Sequence, residues 1–442
     1  MKILAADYVL PIGSELISKG GVVYDRDVIV AVGECLPLRR QFPDAVFEDL
    51  GEAAILPGFV NCHSHLEITA MRGLLDSVEH DFASWLVKLS AARSGMTNEE
   101  IEIAAVAGAI EGARAGVTCF GDIGRYGRAG FEALKKVGLR GVVFQETEFS
   151  PDNKTADDDL EKLKEKFFDL RESETALVRV GISPHAPYTV SRRLFEQIAE
   201  FAAGERVPLT IHAAESVEED ELMRFGKGFF VDVFKKFQVN WKSPHLSPIE
   251  FLESTGILAA KPLLAHCVTA TESELEIILH SGSTVAHCPK SNAKFGHGYA
   301  PFEKMLDSGI SVGLGSDSVS SNNTCDILEE SRFAALSARN RPDRKRFITA
   351  KEMLETATLG GAKALGLDKQ IGSLEAGKQA DIAVVSLANI ALQPINDIHA
   401  SLVFSANARD VSLTIVAGQE VYRDGRVANV DEDKTMGPLA IS

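Results

Sequence analysis

From residue 55 onward, short apolar runs of β-type composition alternate with segments whose apolar residues recur at three and four positions. The runs span 54–62 (AILPGFVNC), 116–123, 138–146, 176–183, 207–214, 261–268, 283–289 and 310–317. Helical patterns such as 98–115 and 271–282 lie between them. Eight strand–helix units in this order predict a parallel sheet closed into a (β/α)8 TIM-type barrel over residues 55–370. The flanks read differently. Residues 1–54 show short alternating strands with no helix between them, and residues 371–427 do the same. Each flank alone is too thin to bury a core. Residues 1–54 and 371–442 together therefore predict a small composite β-sandwich formed by both chain ends. The expected fold class is α/β, a barrel with that sandwich attached.

Composition narrows the chemistry. The net charge of −17 argues against a nucleic-acid partner, because displacing counterions from a phosphate backbone needs clustered Lys and Arg. A small heterocyclic substrate remains compatible. No run reaches the ~18 uninterrupted apolar residues of a membrane span, and Asp7 breaks the N-terminal apolar stretch, so the expected location is cytoplasmic. The six cysteines contain no C-x-x-C pair, which predicts reduced thiols.

In a barrel the working side chains sit at the C-terminal ends of the strands. Strand one ends in His63 and His65, strand four runs into His185, and strand five into His212 and Glu215. Strand six ends in His266, strand seven in His287, and strand eight in Asp317. A single histidine at a strand end is commonly structural. So many at equivalent positions calls for another reason, since buried imidazoles and carboxylates cost several kcal/mol unless paired or coordinated. Side chains two apart on a strand share a face, so His63 and His65 both reach the barrel mouth while Cys62 and Ser64 face outward. The same alternation turns Cys267 and Cys288 toward the helix layer. Three imidazoles and a carboxylate suit Zn²⁺ or Fe²⁺ and not Ca²⁺ or Mg²⁺. The set His63, His65, His212 and Asp317 leaves a position open for water, with Glu215 placed to carry its proton.

The motifs PGFVNCHSH, SPHAPYTVS, IHAAES, LLAHCV, VAHCPKSNAKFGHG, GLGSDSVSSNN and GSLEAGKQADIAVV run in order through nearly the whole chain. In them the sequence resembles the mononuclear deaminase and chlorohydrolase branch of the amidohydrolase superfamily. The resemblance implies one divalent metal ion per chain, Zn²⁺ or Fe²⁺, on the four residues above. It also implies Glu215 as proton shuttle, Asp317 as a further proton acceptor, His266 polarising water or substrate, His185 touching substrate, and a homodimer. Binuclear relatives carry a lysine at the end of strand four; SPHAPY has none, which favours a single metal.

Substrate choice is expected in the loops after strands one and five, the first of which carries Glu67, Arg72 and Trp85. Trp85 either covers a heterocycle or packs in the core. Glu67 either binds ribose hydroxyls or a cationic amine, or is neutralised by Arg72. His-x-His-Leu-Glu, SNAKFGHG and the long insertion after strand five are similar to aminodeoxyfutalosine deaminases, with adenosylhomocysteine/methylthioadenosine deaminases close behind. The implied activity is hydrolytic deamination of a 6-aminopurine nucleoside. Guanine deamination or triazine dechlorination at the same site is the alternative, and a non-catalytic scaffold is a third that the intact ligand set opposes.

Overall fold

The computed structural model describes residues 1–236, 238–239 and 241–436. Residues 437–442 of the expected C-terminal segment, and Phe237 and Asn240 of the insertion, lie outside the described residues. Eight parallel strands form β1 (Phe59–Ser64), β2 (Val117–Gly124), β3 (Arg140–Glu146), β4 (Val178–Ser183), β5 (Thr210–Ala213), β6 (Leu263–His266), β7 (Thr284–His287) and β8 (Val312–Leu314). They fall into two four-stranded sheets, β1 to β4 and β5 to β8, each in sequence order. Backbone hydrogen bonds cross both gaps between the sheets. Ile182 N donates to the Pro208 carbonyl and Asp317 N to the His63 carbonyl, each at 2.9 Å.

Helices connect successive strands, and their ends carry local signals. Asn98–Arg114 and Glu272–Ser281 open on capping boxes, Thr97 with Glu100 and Thr271 with Glu274. Arg128–Val137 closes on Gly138 at φ +90°, a left-handed conformation that favours glycine. One face of the strands (Phe120, Val143, Ile182, Ile211, Leu264, Leu314) packs against helix residues such as Phe131, Leu134, Phe195 and Ile278. Residues of the opposite face, Val60, Cys119, Val142, Phe144, Leu263, Ala265 and Ala286, meet in a second cluster drawn from both sheets. The two sheets therefore face each other across it.

Cys62 packs in that inter-sheet cluster, with Sγ donating to the Leu314 carbonyl at 3.0 Å, and not outward as alternation predicts. The physical reason is that β1 pairs irregularly with β2, with register shifts at Phe59/Val60 and Asn61/Ser64, so the pleat does not keep strict period two.

Both chain ends build one separate nine-stranded sheet. Strand Ala53–Pro57 pairs antiparallel with Ile382–Ser386, Ile55 opposite Val384, and joins the N-terminal strands to the C-terminal ones. The apolar run 54–62 thus divides at Gly58: its first half belongs to this sheet and its second half is β1. Gly58 is required there, since a Cβ would fall 2.1 Å from the Thr118 side chain. The C-terminal segment holds a helix, Ile398–Phe404, and the N-terminal segment another, Cys35–Gln41, and both correct the expectation of strands alone. At two turns the N-terminal one is too short to show periodicity, and it is held by Leu38 packing on Ile3 and Val23. No helix among the described residues is long and apolar enough to cross a membrane.

Candidate metal centre and active site

Four side chains converge where β1, β5 and β8 end. His212 Nε2 lies 3.3 Å from His65 Nε2, and Asp317 Oδ1 lies 3.5 Å from Nε2 of both His63 and His65. His63, His65 and His212 each place one ring nitrogen within 4.8 Å of the other two. Supporting contacts fix which atoms face inward. His212 Nδ1 donates to the His185 carbonyl at 3.0 Å, so its Nε2 carries the lone pair. Ser291 and Ser321 hydroxyls donate to Asp317 Oδ2 at 2.6 and 2.9 Å, leaving Oδ1 for the histidines. His63 is fully buried with no hydrogen bond at either ring nitrogen.

Burial pushes the His63 and His65 imidazoles down, His65 to about 4, so both are neutral at pH 7. Burial also opposes ionisation of Asp317, but the His63 hydrogen bond and the neighbouring imidazoles of His63, His266 and His65 hold its carboxyl well below the usual range. His65 Nε2 and His212 Nε2 face each other across 3.3 Å with the Asp317 carboxylate beside them, an arrangement that a cation between them would satisfy. Tetrahedral zinc with bonds of about 2.0–2.1 Å needs ligand–ligand edges of about 3.3–3.4 Å. The donor set fits a divalent ion of that class. Asp317, Ala214 and His266 have φ of +57°, +53° and +73°, conformations that non-glycine residues adopt at a cost and that gather at functional sites.

Glu215 follows His212 by one turn of chain and is buried beside this centre. Burial pushes its carboxyl up to about 7, with His212 pulling down and Asp317 pushing up. Its Oε1 lies 3.8 Å from both His266 Nε2 and His297 Nε2, and its backbone N donates to Glu219 Oε2 at 2.8 Å. His266 Nδ1 donates to Asn292 Oδ1 at 2.9 Å, so its Nε2 is a lone pair aimed at Glu215. His185 stands on the other side, its ring 4.8 Å from that of His212 and its Nδ1 2.8 Å from the Thr189 hydroxyl. Burial pushes it down to about 3. Glu146, at the end of β3, shares this side and is paired with Arg125 at 3.1 Å. His287 is separate, buried with its ring stacked on Phe302 at 4.7 Å.

The loop after β1 differs from expectation in two places. Glu67 is 1% exposed, ion-paired to Arg93, and accepts hydrogen bonds from Gly127 N at 2.6 Å and Tyr126 N at 3.4 Å. It does not stand at a pocket mouth, because the 3-10 segment Leu66–Met71 turns it toward β2. Arg72 does not neutralise it; Arg72 pairs with Glu111 and donates to the Asn323 carbonyl. Trp85 is buried against Phe82 and Phe295, at 6.3 and 4.8 Å between ring centroids. Cys267 packs in the helix-facing cluster. Cys288 does not turn away: its Sγ lies within 4.8 Å of ring nitrogens of His63 and His266. It is the N-cap of helix Pro289–Lys294 at ψ 70°, so strand alternation no longer governs it.

Sequence reasoning passed over His297, Asn292, Glu146, Glu219 and Arg93. For His297 a signal existed in Gly-His-Gly, where Gly296 and Gly298 take φ of +71° and +102° and bend the loop inward.

The Amidohydrolase family profile matches residues 54–421. A 5-methylthioadenosine/S-adenosylhomocysteine deaminase of Moorella thermoacetica is 33% identical over 437 residues, covering 98% of this chain and 97% of its own. An adenosine deaminase of Xanthomonas campestris, solved with bound zinc, superposes with a TM-score of 0.86 at 26% identity, over 99% of this chain and 96% of its own. A Helicobacter pylori aminofutalosine deaminase, solved with methylthio-coformycin, shares the fold with a TM-score of 0.80 at 24% identity, over 96% of this chain and 100% of its own.

Proposed function

We propose, on the premise that the chain belongs to the amidohydrolase family, that it is a metal-dependent hydrolytic deaminase removing the 6-amino group of a purine nucleoside as ammonia. The observation that carries this reading is the convergence of His63, His65, His212 and Asp317 at tetrahedral-edge distances, with the carboxyl of Glu215 beside them. The hydrogen bonds across both gaps support closure of the eight strands into a barrel. Packing of Leu4, Ile29, Ile55, Val384 and Ile415 into one cluster supports folding of the nine-stranded sheet over itself as a sandwich. We place the domain boundaries at Gly58 and near residue 371.

Zn²⁺ or Fe²⁺ on those four residues supplies the Lewis acidity that makes a water nucleophilic near neutral pH. Glu215 takes one proton from the water as the water oxygen bonds to the amine-bearing carbon and delivers it to the adjacent ring nitrogen; the remaining proton of the added hydroxyl then passes through Glu215 to the amine as the C–N bond breaks, leaving a carbonyl and ammonia. His266 Nε2, held by Asn292, accepts a hydrogen bond from the nucleophile and orients it. Asp317 Oδ1 holds ligand position while Ser291 and Ser321 keep it from rotating. His185 contacts the substrate from the β4 side. The enzyme works as a cytoplasmic homodimer in this reading.

Glu67 was the residue that most favoured aminodeoxyfutalosine, and it is occupied by Arg93. The curated relatives therefore weigh more, and 5-methylthioadenosine and S-adenosylhomocysteine come first as substrates, with aminodeoxyfutalosine next. Metal analysis should find about one zinc or iron per chain, and ammonia release should be seen with one of these nucleosides. A folded protein that holds no metal, or turnover of guanine or a chlorotriazine while every adenine nucleoside is inert, refutes the reading.

A further inference from the structure

His297 lies outside every strand end, yet its side chain is 3% exposed and its Nε2 has no hydrogen-bond partner among the described residues. That nitrogen points at Glu215 Oε1, 3.8 Å away, the same oxygen that His266 Nε2 approaches at the same distance. Three contacts aim it. Its backbone N donates to the Asn292 carbonyl at 2.9 Å, tying it to the residue that also holds His266. Phe82 meets its ring edge-on at 4.7 Å and Phe295 lies 5.2 Å away. Gly296 and Gly298, both at positive φ, make the turn that brings it back to the site.

A proton shuttle needs a partner in both of its states, since a buried carboxyl left unsatisfied in either is destabilised. His266 offers a lone pair, which serves the protonated carboxyl only. Among the described residues no side chain already donates a hydrogen bond to the ionised one, which otherwise has only the nucleophilic water. We propose that His297 is the positioning residue that supplies the donor: Nε2–H donates to Glu215 Oε1 when the carboxylate is ionised and releases it when the proton arrives. This rests on the reading of Glu215 as the proton carrier of a deaminase. His297 does not exchange a proton itself, and burial pushes its imidazole down to about 3, which keeps it neutral through the cycle.

The test uses the metal-loaded full chain. His297→Phe keeps the ring in its aromatic setting and removes the donor; His297→Gln returns an N–H near the same place. The expected result is a kcat loss of about 10- to 100-fold for the phenylalanine variant with KM within about threefold, and recovery of most of that loss by glutamine. A phenylalanine variant within twofold of the parent, or a glutamine variant no better than phenylalanine, overturns the proposal. A second measurement is independent of turnover. In ¹⁵N-histidine-labelled protein, Glu215→Gln should shift the His297 Nε2 resonance; an unmoved resonance overturns the proposal. If no nucleoside is deaminated but the resonance shifts, the deaminase reading falls while the His297–Glu215 pairing stands.

Discussion

Replacing Asp381 by asparagine removes the charge paired with Arg140 at the joint between the nine-stranded sheet and β3. Asp381 accepts from Arg140 Nε at 2.8 Å and Nη2 at 3.1 Å, and from Ala417 N at 2.8 Å. Its carbonyl accepts from Gly58 N at 2.9 Å, at the point where the apolar run changes sheets. The two side chains are 3% and 1% exposed, so solvent does not screen the loss. Breaking such a pair leaves a buried guanidinium without its counter-charge and costs about 3–5 kcal/mol. Asparagine retains an oxygen for Ala417 N, so the further 1–3 kcal/mol of an orphaned backbone donor is not expected. Against a total stability of about 5–15 kcal/mol, the single substitution removes a large share. Arg140→Met with Asp381→Asn takes away the stranded charge and should regain about 1–3 kcal/mol relative to Asp381→Asn alone. Urea unfolding midpoints of the parent, both single variants and the double variant measure the coupling. Arg140 begins its strand and the metal centre lies at the strands' other ends, so metal content should not change. A cost below about 1 kcal/mol for Asp381→Asn, or a double variant no more stable than it, refutes the reasoning.

Three further outcomes are expected. Asp317→Asn and His212→Gln should each weaken metal binding by more than about 100-fold, the upper range for outer partners alone, as read by equilibrium dialysis against zinc. Glu67→Gln keeps an acceptor for Gly127 N but strands Arg93. Discounted for the 20% exposure of Arg93, it should cost about 1–3 kcal/mol in denaturant unfolding while nucleoside KM changes less than about threefold. A KM rise above about tenfold with stability intact returns Glu67 to the substrate. Glu219 is buried, and burial pushes its carboxyl up to about 8. Its contribution is therefore fully present below the unfolded carboxyl range and is lost as pH rises toward 8. Glu219→Gln removes that dependence, so its stability relative to the parent should improve from pH 5 to pH 8 by a few kcal/mol.

The metal-type residues were legible because two simple rules reach them, the strand period and the placement of function at strand ends. The same rules reach His185, Glu215, His266 and His287 as well, and the structure gathers His63, His65, His212 and Asp317 while setting His287 apart. The rules fail where backbone departs from them. Register shifts in β1 carried Cys62 into the space between the sheets, and the start of a helix at Cys288 released it from alternation. Glu67 adjoins His65 in sequence, but a 3-10 turn separates their directions. His297 belongs to no strand, so only its flanking glycines hinted at it. The helix Cys35–Gln41 rests on one buried leucine, too few positions to leave a period.

The pairing of Ala53–Pro57 with Ile382–Ser386 also sets an order of events during synthesis. At about 5–20 residues per second, Ser386 leaves the ribosome roughly 15–65 s after Pro57. For that interval one edge of this apolar strand lacks its C-terminal partner, although β1 begins two residues further on and leads to His63 and His65. Non-local pairing of this kind is slow and exposes sticky edges. The nascent chain therefore passes through a long window in which the segment that leads into the metal centre is built before the strand that closes its edge.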